Sequence, residues 1–147
     1  MPGWLKALLI VAIIIALLIV GAIGAGVWWW MRNKDALRSR ARAITTEGKD
    51  FGKTTDNKGC VDEALNRYKK DPGLLSAFAN QGFLTACLEA SRPTTGFCDN
   101  VPLGDFAKMQ EWQAAQCKRY DLRSGRDCQA LVMPVAMFCG DREQNQN

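Results

Sequence analysis

The stretch from Ala7 to Met31, ALLIVAIIIALLIVGAIGAGVWWWM, holds 25 residues and no charge. An α-helix rises about 1.5 Å per residue, so about 20 apolar residues cross a hydrocarbon core roughly 30 Å thick. Lipid offers no partner to a peptide group, so a chain of this composition satisfies its backbone internally as a helix. Trp4 stands just before the run, and Trp28, Trp29 and Trp30 close it. Tryptophan favours the headgroup layer, so these four residues mark two membrane interfaces. Lys6, Arg32 and Lys34 lie where long cationic side chains snorkel outward. Within the run, Gly21 and Ala25, and Ala22 and Gly26, repeat at i, i+4, a spacing that lets two helices approach closely in lipid. The competing reading is a cleaved signal peptide, with Lys6 in a short basic leader and the small residues 21–26 as a cleavage region. A signal peptide's apolar region is typically about 7–15 residues, and this one is longer.

Outward from the anchor, residues 32–58 hold eight Lys or Arg and four Asp or Glu. From Gly59 onward there are ten basic and eleven acidic residues, so the basic excess is concentrated beside the apolar run. A basic juxtamembrane strip reads as attraction to lipid headgroups. Apart from Phe51 it lacks the interleaved aromatics of a nucleic-acid surface, and no nucleic-acid partner is expected. Asp35–Thr45 contains good helix formers and neither glycine nor proline, so the anchor helix is expected to continue into it. Gly48–Gly59 (GKDFGKTTDNKG), with three glycines, reads as a linker.

The six cysteines, Cys60, Cys87, Cys98, Cys117, Cys128 and Cys139, all fall in the last 88 residues. An even, dense set in a small domain reads as a disulfide framework in an oxidising compartment. Metal sites usually need close pairs such as C-x-x-C, and the nearest cysteines here are eleven apart, so no metal is expected. That spacing is one residue longer than in C-x9-C helical hairpins, and it identifies no family. Two signals conflict over topology. Arg32, Lys34, Arg38, Arg40 and Arg42 outnumber Lys6, which by the positive-inside rule keeps the domain cytoplasmic. The cysteines place it on the exported side, periplasmic or extracellular, and we weigh them more heavily.

Four helices are expected distally: Gly59–Lys70, Leu74–Ser91, Leu103–Tyr120 and Gly125–Cys139, punctuated by Asp71-Pro72-Gly73, Arg92-Pro93 and a loop from Thr94 to Pro102. No period-2 strand pattern appears. Cys128, Leu131, Val132, Val135, Phe138 and Cys139 form one apolar stripe, which Pro134 is expected to kink or split. Leu84, Cys87 and Leu88, and also Phe106 with Met109, read as core faces. Cys128 and Cys139 would stand about 16 Å apart along a helix, beyond the roughly 7 Å limit for a bridge. Of the remaining pairings, Cys117–Cys128, Cys87–Cys98 and Cys60–Cys139 are the expected set.

With no histidine, the chain has no imidazole base, metal ligand or pH switch. No P-loop, dinucleotide fingerprint or nucleophile elbow is present. Asp56-Asn57-Lys58-Gly59 only faintly resembles a calcium loop, because lysine sits at the third position and the glycine is misplaced. Asp62, Glu63, Asp99 and Asp105 are more ordinary as helix-start and turn residues than as a catalytic pair.

The expectation is an all-α, single-pass protein: anchor 1–31, basic stalk and linker 32–58, stapled helical domain 59–141 and disordered polar tail 142–147. The expected role is non-enzymatic and cofactor-free, with the lipid bilayer and other membrane subunits as partners: an accessory or assembly subunit of a larger complex in the cell (inner) membrane. The alternative is a tethered binding module for a small ligand or peptide, with a pocket drawn from Phe78, Phe83, Trp112 or Phe138.

Overall fold

A computed structural model describes residues 3–123 and 125–145. Among these residues the fold is all-helical: α1 (Gly3–Gly52), α2 (Asn57–Lys70), α3 (Leu74–Ala90), α4 (Phe106–Arg119) and α5 (Arg126–Gln144). The chain forms two compact units, residues 1–39 and 40–147. In the first, α1 is the one described helix long and apolar enough to cross a membrane, and no described side chain in it is buried.

The second unit begins with the last turns of α1. The expected linker at residues 48–52 is helical instead, and packing explains why. A Cβ built on Gly48 would lie 2.5 Å from the Phe83 carbonyl oxygen, and one on Gly52 would lie 2.5 Å from that of Cys87. The two glycines, one turn apart, let α1 seat directly on α3, and that contact outweighs glycine's poor helix propensity of about 1 kcal/mol. The order of contacts, Gly48 at Phe83 and then Gly52 at Cys87, makes α1 and α3 run in the same direction. Glu47 pairs with Arg67 of α2 at 2.8 Å, and the Arg67 guanidinium lies 4.0 Å over the Phe83 ring.

A short turn leads into α2. Asp56 caps α2 by accepting from the Gly59 N–H at 2.8 Å, and this hydrogen bond holds its carboxyl below the usual range. The residues that faintly suggested a calcium loop are therefore a helix cap. Asn57 is fully buried. Its amide donates to Ser91 Oγ at 2.8 Å and its carbonyl accepts from the Thr94 N–H at 3.0 Å. It thereby ties the start of α2 to the end of α3.

The core gathers Leu65, Phe83, Leu84, Leu88, Leu131 and Val132 around the cysteines. Each large apolar side chain taken fully from water contributes about 1.5–3 kcal/mol. The stripe on α5 faces this core, with Phe138 at its half-buried edge. Phe106 departs from expectation: it is 78% exposed. Asp105, not Leu103, starts α4 by accepting from the Lys108 N–H at 3.1 Å, and Phe106 occupies the first turn, beyond the core.

Proline does not split α5, which runs continuously past Pro134 and past the expected end at Cys139. A proline at position 134 cannot donate to the Ala130 carbonyl one turn earlier. Gln81 of α3 supplies the missing donor, its Nε2 lying 3.1 Å from the Ala130 oxygen. The stretch expected to be a tail from residue 142 begins as helix. Arg142 lies over the Phe138 ring at 4.9 Å, and residues 146 and 147 are outside the described residues.

All six cysteines are paired: Cys60–Cys87, Cys98–Cys139 and Cys117–Cys128, with Cα separations of 5.7, 5.5 and 6.1 Å. Cys117–Cys128 closes the α4–α5 hairpin as expected, and Cys128 does not pair with Cys139. The other two expected pairs are wrong. Antiparallel packing of α2 on α3 sets Cys60 level with Cys87, and the loop after α3 folds across the end of α5, carrying Cys98 to Cys139.

Candidate functional site

A cavity of about 300 Å³ opens between α2, the Thr94–Val101 loop, α4 and α5. Its apolar lining is Val61, Val101, Val132 and Val135, with Phe97 and Trp112 as aromatic walls. Asn100 and Gln116 add hydrogen-bonding groups, and the exposed cations Lys58 and Arg119 line it as well. This is the lower end of the size range of small-molecule sites, in the usual mixture of apolar surface and a few polar groups.

The loop that forms one side is held at several points. Cys98 is bonded to Cys139, and the Thr94 N–H is held by Asn57. Phe97 meets Phe138 edge-on at 6.2 Å between centroids. Gly96 takes φ +72°, a left-handed turn that suits glycine, and the Asp99 N–H then donates back to its carbonyl at 3.3 Å. The opposite side is fixed by Tyr120, whose hydroxyl donates to the Asp62 carboxylate. Burial, and after it this hydrogen bond, pushes the Tyr120 phenol well above its ordinary range. The phenol therefore stays protonated and acts as a fixed donor, not as a base.

Of the aromatic residues expected around a pocket, only Trp112 lines this one. Phe83 is sealed in the core, Phe78 is exposed on α3, and Phe138 supports the loop from behind. Phe97, Tyr120, Lys58 and Arg119 were not anticipated. They come from three separate segments, and no local pattern in the sequence joins them. Among the described residues the lining carries no carboxylate and no thiol, so it offers apolar contact and hydrogen bonding to a ligand, with positive charge beside it.

The remaining expected positions stand as follows. Trp4, Trp28, Trp29 and Trp30 are exposed on α1, and Arg32 lies 4.9 Å over the Trp28 ring. Gly21, Ala22, Ala25 and Gly26 are exposed, and a Cβ built on Gly21 or Gly26 would meet nothing within 4 Å. Asp62 is engaged by Tyr120, Glu63 by Arg67 at 2.7 Å, and Asp105 by the α4 cap. Among the described residues, no group of three or more His, Cys, Asp or Glu is placed to hold a metal ion. The chain matches no family model, no curated protein and no solved structure.

Proposed function

We propose that this is a single-pass membrane protein whose stapled helical domain lies on the exported side and serves as a non-enzymatic accessory or assembly subunit of a larger membrane complex. The observation that carries the reading is the surface of α1. The window of greatest hydropathy is wholly uncovered by the rest of the protein, a state that water penalises at about 25 cal/mol per Å² of apolar surface. A bilayer removes that penalty, and the open small-residue face at Gly21, Ala22, Ala25 and Gly26 suits close approach by a second helix. Pairing of all six cysteines supports an oxidising compartment.

The cavity beside Trp112 favours a second reading, a tethered module that captures a small ligand or peptide carrying negative charge. Extraction in mild detergent followed by mass measurement separates the two. Co-purification with larger membrane subunits is the expected result. A lone monomer that retains a small molecule in the cavity would overturn it in favour of the second reading.

A further inference from the structure

From the base of the domain we infer a second membrane contact: the end of the bundle formed by the α2–α3 and α4–α5 turns is a docking surface for an anionic phospholipid headgroup layer. The inference rests on the anchored reading above. The two turns lie side by side, because Lys69 of the first donates to the Tyr120 carbonyl at 3.3 Å and pairs with Asp121 of the second at 3.6 Å. This is also the end at which α1 enters. Glu47 of α1 meets Arg67 near the end of α2, and α1 runs parallel to α3 from there, so Arg40 and Arg42 belong to the same end.

That end carries apolar residues that have not been buried. Leu74, Leu75 and Phe78, in the first turns of α3, are 56%, 85% and 58% exposed. Isolated exposed leucines are unremarkable, but three large apolar residues within five positions of one helix give that end a clustered apolar surface. The same end carries the exposed cations Lys69, Lys70, Arg123 and Arg126, with Arg40 and Arg42 on α1. Three carboxylates, Asp71, Asp121 and Asp127, share the end. Cations therefore outnumber carboxylates six to three here, whereas residues 40–147 as a whole carry fifteen basic and fourteen acidic residues. Exposed apolar side chains sharing one end with an excess of Lys and Arg match a surface whose outer layer is phosphate and whose next layer is acyl chain.

The tether argues for the same occupant. From Met31, the last residue of the apolar run, to Arg40 is nine residues. Even fully extended these span only about 30 Å, and as a helix about 13 Å. In the anchored chain a tether this short raises the effective concentration of headgroups at the domain, which turns a weak surface into a persistent contact. Leu75 and Phe78 enter the interface, and the Lys and Arg side chains meet the phosphates.

The test uses the full chain, with the photoreactive residue benzoylphenylalanine placed at Leu75, reconstituted in vesicles. One preparation contains phosphatidylglycerol and phosphatidylcholine, and the other phosphatidylcholine alone. Each is floated, illuminated and read by mass spectrometry. The expected result is a lipid adduct in the mixed vesicles, at least threefold stronger than in the neutral ones. Chain that floats with both preparations but gives no lipid adduct overturns the docking surface and leaves the anchor standing. Adducts to a second copy of the chain also overturn it. Chain that fails to float overturns the anchored reading itself.

Discussion

Replacing Gly52 by alanine should destabilise the domain, although helix propensity alone predicts the reverse. Glycine inside a helix costs about 1 kcal/mol relative to alanine, so an otherwise free substitution stabilises by up to that amount. At Gly52 the new methyl would lie 2.5 Å from the Cys87 carbonyl oxygen, 3.0 Å from Ala90 Cβ and 3.2 Å from Cys87 Cα. Ordinary contact begins near 3.4 Å, so α1 and α3 must part by about 0.9 Å. A gap of 0.5–1 Å already loses about a quarter to a half of each dispersion contact. Overpacking of this kind costs about 1–3 kcal/mol, and the carbonyl, being backbone, yields poorly. We expect a net loss of about 1–2 kcal/mol. Gly82 is the internal control: its Cβ would meet only Ile44 Cγ2 at 3.7 Å, so Gly82→Ala should stabilise by about 0.5–1 kcal/mol. Hydrogen exchange of the α3 amides in mild detergent reads both. Exchange through global opening should run about 5–30-fold faster in Gly52→Ala and slower in Gly82→Ala. Slower exchange in both variants would mean that α1 is not seated on α3.

Gln81→Met should cost about 1–3 kcal/mol by leaving the Ala130 carbonyl without a donor, and Gln81→Met combined with Pro134→Ala should recover most of it in the same exchange assay. Loop length ranks the disulfides. Sequence separations of 41, 27 and 11 residues give roughly 4, 3.5 and 3 kcal/mol on the chain-entropy model. Denaturant midpoints should therefore fall most for Cys98→Ser/Cys139→Ser and least for Cys117→Ser/Cys128→Ser. The raised Tyr120 phenol contributes stability that is fully present below its unfolded pKa near 10 and is lost as pH rises toward its higher folded value. Alkaline titration followed by circular dichroism should show that loss, and Tyr120→Phe should lessen it. Asp56, lowered by its cap hydrogen bond, acts at the other end, contributing stability above about pH 4 that fades as acid titrates the folded carboxyl.

Much of this fold is legible in the chain because its signals are local. Charge-free length marks α1, and Pro72-Gly73 and Pro93 stop helices close to where they are read. The stripe on α5 is a period-3.6 pattern that needs no partner to be seen. The disulfides divide along the same line. Cys117 and Cys128 flank a recognisable turn and their pairing is read from the chain, whereas Cys60–Cys87 and Cys98–Cys139 are set by helix packing and are not. What stayed hidden is tertiary. The glycines at 48 and 52 read as linker until a neighbouring helix gives them a reason to be small, and Pro134 reads as a break until Gln81 meets the freed carbonyl. The cavity was hidden for the same reason, since Lys58, Phe97, Trp112 and Tyr120 are joined only by packing.

A membrane-held chain carrying a fully stapled domain has two separable properties, retention by lipid and the absence of free thiols. Membranes washed in alkaline carbonate, solubilised with a thiol-alkylating agent under non-reducing conditions and analysed by intact mass, test both halves at once. The expected chain retains Ala7–Met31, remains with the lipid and takes up no alkyl group, because its cysteines are bound in three pairs. A chain washed free by carbonate, one shortened through the apolar run, or one bearing six alkyl groups would contradict it.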